Sequence, residues 1–164
     1  MSTVNPEVTG RLQPGEKRVF RSAPVMRTAL ILSALLVFAT LFGWSMLDAQ
    51  TKSQFTTPQV ATLLFFLVMM VGLMVSVGLS VAVATPEGLK VRNGLSTKRY
   101  AWDRIEGIGL GSGDAWANLS LAPSDVHPEG ETVMLLAIQR AEGSEVANER
   151  AAELRDLVRA NRTA

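Results

Sequence analysis

Apolar positions dominate the first half of the chain and alternate with polar ones in the second. Two stretches, Thr28 to Leu47 and Ser53 to Pro86, contain no ionisable residue, and only the charged gap Asp48 to Lys52 separates them. A helix needs about 20 apolar residues to cross the hydrocarbon core of a bilayer. The first stretch fits that length; the second exceeds it. A helix buried in a soluble protein normally keeps a polar face, and neither stretch has one. The pattern predicts a transmembrane helical hairpin over residues 28–80, with spans at 28–47 and 58–80. Pro58 suits the first turn of the second helix, and Thr56 or Thr57 can cap it.

Beyond about Gly78 the second stretch has two readings. Ser80-Val-Ala-Val-Ala-Thr85 has the β-branched alternation of a strand, ended by a turn at Thr85-Pro-Glu-Gly88. A single long, tilted helix through Ala84 is the competing reading. The alternation favours a strand attached to the hairpin almost without a linker, so that the following module could not swing on a tether.

Short elements then follow in close order. Leu89-Lys-Val-Arg92 alternates, and Asn93-Gly94 is a hairpin signal because both residues tolerate positive φ. Ser96 to Trp102 returns as the partner strand. Asp103-Arg104 can start a helical turn before Ile105 to Leu110 resumes extended structure. Along Ala115 to Leu121, Trp116 opposes the face carrying Ala117, Leu119 and Leu121. A polar loop from Pro123 to Glu131 precedes Thr132 to Ile138, the most apolar strand of the tail. Finally, Ser144 is a candidate N-cap, and Ala147, Ala151, Leu154 and Val158 recur as one helical stripe. Residues 81–164 thus read as an α+β module, an antiparallel sheet closed by one C-terminal helix.

Residues 1–27 form a separate N-terminal segment. Pro6, Gly10, Pro14 and Gly15 predict an irregular or disordered first fifteen residues. Lys17-Arg-Val-Phe-Arg21 differs, and fits either the membrane interface or an added strand of the later module. Basic residues flank the hairpin on both outer sides, whereas its loop carries one Lys against one Asp. By the positive-inside rule both termini are expected on the cytoplasmic side. The start does not read as a cleavable signal, because a polar segment precedes a full-length apolar one.

Composition narrows the chemistry. A formal net charge of +1 gives no global attraction to nucleic acid. The absence of cysteine excludes disulfides, thiolate catalysis and Cys-ligated metals, and a single histidine, His127, supports neither a His-rich metal site nor a catalytic relay. Gly107 to Gly113 is glycine-rich but lacks the Lys, the Ser/Thr and the helix of a phosphate-cradling loop. Asp103 and Glu106 are better explained as a cap and a solvated edge than as paired acids. No cofactor or metal site is expected.

Two candidate contact sets remain. Lys90, Arg92, Lys98, Arg99 and Arg104 form a basic group around the predicted hairpin, suited to anionic headgroups or an acidic partner, each gaining about 1 kcal/mol beside an anionic leaflet. Solvated strand faces explain the same residues more plainly. Gly72, Ser76 and Ser80 recur at intervals of four and would let helix backbones approach closely. Their contact is either the first helix, where Ala39 and Gly43 form a matching strip, or another subunit. Trp102 and Trp116 read as core aromatics, and Trp44 as part of the interfacial belt.

Four segments in this order carry a family resemblance. They are Glu87-Gly-Leu-Lys-Val-Arg-Asn-Gly94, Arg99-Tyr-Ala-Trp-Asp-Arg-Ile-Glu-Gly-Ile108, Ala115-Trp-Ala-Asn-Leu119 and Leu135-Leu-Ala-Ile-Gln139. Together they resemble the pleckstrin-homology (PH)-like domain of actinobacterial membrane proteins, the low-molecular-weight protein antigen type, from about Ser80 to Val158. Arg18-Val-Phe-Arg21 also looks familial, while the loop Pro123 to Glu131 is longer than the family pattern. The resemblance implies a PH-like fold in a bacterial inner membrane and supplies no catalytic residue. The expected role is a non-enzymatic membrane protein displaying a cytoplasmic binding module for a protein partner or anionic lipid headgroups. The alternative is an accessory subunit of a membrane complex, held through the hairpin, or a homo-oligomer.

Overall fold

The computed structural model describes residues 10–162, and the N-terminal expectation for residues 1–9, Pro6 included, lies outside them. The chain divides into two units. Residues 10–22 join residues 80–162 in one, and Ala23–Leu79 form the other.

The inserted unit holds α1 (Ala23–Met46), a short α2 (Ala49–Ser53) and α3 (Thr57–Gly78). Both long helices are long and apolar enough to cross a membrane. Asp48 starts α2 by accepting a hydrogen bond from the Thr51 N–H. At the start of α3 the Gln59 side chain accepts from the Thr56 N–H at 2.8 Å, with Pro58 in the first turn. Trp44 near the end of α1 packs edge-on against Phe55, ring centroids 5.4 Å apart.

At Gly72 and Gly43, members of the two expected small-residue strips, α1 and α3 do not touch. An added Cβ at Gly72 or at Gly43 would find nothing within 4 Å. At Gly78 the helices do approach closely: a Cβ there would lie 3.0 Å from the Met26 Cα. Ala29 and Ser33 are buried against α3, the Ser33 hydroxyl 3.8 Å from the Met74 sulfur. Ser80 is not on the helix at all, since α3 ends at Gly78 and β2 begins at Val81.

The second unit is built from two antiparallel sheets rather than one. The first has the order β1 (Arg18–Arg21), β2 (Val81–Thr85), β3 (Gly88–Asn93), β4 (Ser96–Tyr100). The second runs β5 (Ile105–Gly109), β6 (Trp116–Leu121), β7 (Glu131–Gln139). A 3-10 turn at Trp102–Arg104 breaks the chain between them. It buries Trp102, whose indole N–H donates to the carbonyls of Thr85 and Pro86 at 3.0 and 3.1 Å. α4 (Ser144–Arg162) lays Ala147, Ala151, Leu154 and Val158 into the core, with Leu157 and Asn161 beside them. Ser144 is the first helical residue rather than the cap, within the usual latitude of helix ends.

Three local expectations change. The β3–β4 turn is Gly94-Leu95, not Asn93-Gly94, because Asn93 pairs with Ser96. Only Gly94 has positive φ, 61°, as a type II′ turn requires at its first central position. Asn93 is thereby released for a longer reach: its side-chain amide donates to the Met134 carbonyl and accepts from the Leu136 N–H, mimicking a strand pairing with β7. Trp116 is 36% exposed instead of buried, since it lies on the opposite face of β6 from Ala117, Leu119 and Leu121 and beside a register shift. The N-terminal arm is irregular but docked: Leu12 is in the core, and Asn161 brackets the arm by accepting from the Leu12 N–H and donating to the Gly10 carbonyl, both at 3.2 Å.

Candidate functional site

Strand register sorts the basic residues onto two faces. Phe20, Ala82, Val91 and Lys98 are in line across the first sheet, and so are Ala84, Leu89 and Tyr100. Phe20, Ala82, Ala84, Leu89 and Val91 of these rows are all buried, so these rows face the core. Side chains alternate along a strand, so the neighbouring rows face outward. One outer row is Val19–Val83–Lys90–Arg99 and the other is Arg21–Val81–Arg92–Thr97.

Of the five predicted cations, the structure therefore unites Lys90, Arg92 and Arg99. Lys98 is on the core-side row at the sheet edge, where its Nζ reaches Glu131 at 3.5 Å. Arg104 belongs to the β4–β5 connection and donates to the Pro123 carbonyl at 3.2 Å. Lys98 does not join Lys90 and Arg92, because its place in the pairing is one residue out of phase with theirs. Arg21 takes a place in the outer group that had not been assigned to it. The signal that could have found it is the β-like Arg18 to Arg21 phrase, once paired with β2.

Lys90 and Arg99 are direct cross-strand partners, a like-charge arrangement that destabilises a sheet. Among the described residues no carboxylate lies within 4.0 Å of either. Both line an open cleft of about 480 Å³ together with Thr85, Glu87 and Tyr100. The Thr85 side chain, by hydrogen bonding, holds the Glu87 carboxyl below its ordinary range. The cleft thus presents two cations and one carboxylate. Arg92 is half-buried, and its Nε–H donates to the Gly94 carbonyl at 3.0 Å.

A second cavity, of about 250 Å³, lies between β4 and β7 and is lined by Asn93, Lys98, Tyr100, Glu131 and Val133. The Tyr100 hydroxyl is buried without a hydrogen-bond partner, and burial, followed by the Glu131 charge, raises its pKa. In the helical unit, an apolar cavity of about 490 Å³ is lined by Ala39, Gly43, Trp44, Phe55 and Leu64. His127 is exposed, with Nε2 3.8 Å from Glu131. The glycine-rich loop after β5 is held by Arg140, which donates to the Gly111 and Asp114 carbonyls. Among the described residues no group of three His, Cys, Asp or Glu could hold a metal ion.

Residues 81–157 match the family model described as Bacterial PH domain. No curated protein and no solved structure matches the chain. The match opens at β2 and closes within α4, so β1 and the helical unit lie outside it. Two antiparallel sheets with a C-terminal helix are consistent with that assignment, and PH-like domains are typically non-catalytic binding modules.

Proposed function

We propose that this chain is a non-enzymatic membrane protein that presents a PH-like binding module on the cytoplasmic side of a bacterial inner membrane. Its α1–α3 hairpin is the anchor, and both termini are cytoplasmic. The module's ligand is an anionic group, carried by a protein partner or by a lipid headgroup, held by Lys90 and Arg99 with Arg92 beside them.

The observation that carries this reading is the opposed Lys90–Arg99 pair. Charged residues on an edge strand are commonly explained as protection against strand-to-strand aggregation. That accounts for Arg99 on β4 but not for Lys90, which is on β3, inside the sheet. Two cations kept face to face cost stability, and an anion between them reverses the sign of that cost.

The test is purification of the native protein in mild detergent, with identification of the proteins and lipids that accompany it. Reversing both charges, Lys90→Glu with Arg99→Glu, should remove an acidic protein or anionic lipid that accompanies the wild type. An unchanged set of companions would overturn the assignment.

A second reading, an accessory subunit held through the hairpin, is favoured by the apolar cavity beside Gly43 and Trp44, which another helix could fill. A protein that purifies alone, or only as a homo-oligomer, argues against it.

A further inference from the structure

The end of the first sheet that carries the β3–β4 turn is also the end where the chain departs for the helices. Arg21 and Val81 are paired, and Val81 pairs in turn with Arg92, one residue before Asn93 and the turn Gly94-Leu95. α1 begins two residues after Arg21, and α3 ends three residues before Val81. The row Arg21–Val81–Arg92 therefore marks the exit edge of the module, with the turn just beyond it.

Leu95 at the tip of that turn is 85% exposed, more than any other large apolar side chain among the described residues. A single exposed leucine is unremarkable in itself. This one is held out by a fixed turn. Ser80, the residue before β2, accepts from the Gly94 N–H through its buried hydroxyl at 3.1 Å, and Arg92 donates to the Gly94 carbonyl from the other side. Both bonds fix Gly94 and leave Leu95 projecting. The apolar tip thus stands at the end of the sheet where Arg21 and Arg92 share an outward row and where the chain continues into two bilayer-length helices.

From this we infer that the Gly94-Leu95 turn is a membrane-contacting tip: Leu95 enters the boundary between headgroups and acyl chains, and Arg21 and Arg92 meet lipid phosphates. Interfacial apolar faces are buried about 5–10 Å into the headgroup/acyl boundary, and basic residues near them gain from anionic lipid. The inference rests on the proposed membrane anchor, but not on the ligand of Lys90 and Arg99. Those two residues are displaced along the strands from the tip.

The chain has no cysteine, so single thiols can be placed at will. The full chain is reconstituted in vesicles of phosphatidylethanolamine and phosphatidylglycerol bearing brominated acyl chains. An environment-sensitive fluorophore is attached in turn to Leu95→Cys, Glu87→Cys and Phe38→Cys. Glu87 is in the turn at the opposite end of the sheet, roughly 20 Å away at 3.3 Å per residue, and Phe38 is mid-α1. Bromine quenching together with a blue-shifted emission is expected at Phe38→Cys and Leu95→Cys and not at Glu87→Cys. Quenching at Phe38→Cys with Leu95→Cys no different from Glu87→Cys would overturn the tip and leave the anchor standing. No quenching at Phe38→Cys would overturn both.

Discussion

Lys90 and Arg99 face one another across β3 and β4 on the outward side of the first sheet, and no described carboxylate lies within 4.0 Å of either. Like charges placed directly opposite are unfavourable, and opposite charges there contribute roughly 0.2–1 kcal/mol. Lys90→Glu, placing an acid opposite Arg99, should therefore raise the thermal midpoint of the full chain slightly while weakening its hold on an anionic ligand. Melting curves of both proteins in the same detergent check the first half. A lower midpoint would show that the two cations are not held against each other.

Arg150 is the counter-charge of Glu142, whose side chain is only 3% exposed, and its guanidinium also donates to the Arg21 carbonyl at 3.2 Å. The pair ties the start of α4 to the end of β1. Removing one partner of a buried ion pair leaves the other charge uncompensated, at a cost of about 3–5 kcal/mol. Arg150→Ala should fall near the lower bound, because Arg150 itself remains 32% exposed. Protease resistance of the α4 segment, compared between variant and wild type, would reveal the loss. Equal resistance would show that the pair is incidental.

Tyr100 is the single tyrosine of the chain, so tyrosinate absorbance follows it alone. Burial and then the Glu131 charge raise its pKa above the ordinary 10.0. The folded chain therefore holds this proton more tightly than the unfolded one. The associated stability is intact below pH 10.0 and is lost as pH rises toward the folded-state value. Alkaline titration should give a midpoint above 10.0, and Glu131→Gln should lower it. Tyr100→Phe, which removes a buried hydroxyl with no partner, should leave stability unchanged or raise it.

Asn93 joins the first sheet to β7 by two hydrogen bonds from one side chain. Asn93→Ala strands a backbone carbonyl and a backbone N–H, at about 1–3 kcal/mol for each group that stays dry. Amide exchange at Leu136 should accelerate in the variant well before exchange in β6 changes. Uniform acceleration across both sheets would mean that the bridge has no local role.

Much of the architecture was legible in the sequence. Apolar runs and alternation give the two helices, most of the strands and the stripe on α4, because period and length are local properties. The turn at Gly94-Leu95 was misplaced by one residue, since Asn-Gly is the stronger local signal and only the pairing of Asn93 with Ser96 overrules it. Ser80 looked like the last step of a helical small-residue series, yet the helix ends two residues earlier and its hydroxyl serves the turn. The Asn161 clamp on Gly10 and Leu12 joins opposite ends of the chain through a side chain, and no local pattern encodes such a contact. The basic group was found as a composition, but its division into Lys90, Arg92 and Arg99 on one side and Lys98 on the other is a matter of register. A shift of one residue moves a side chain to the opposite face.

The proposed ligand site is tested most directly in the native membrane. A photo-cross-linking amino acid at Val83, on the outer row beside Lys90, reports what this part of the outward face touches. The expected result is a discrete cross-linked protein or anionic lipid that disappears when Lys90→Glu and Arg99→Glu are introduced together. A product indifferent to that charge reversal, or no product at all, would contradict an anion-binding role for this face.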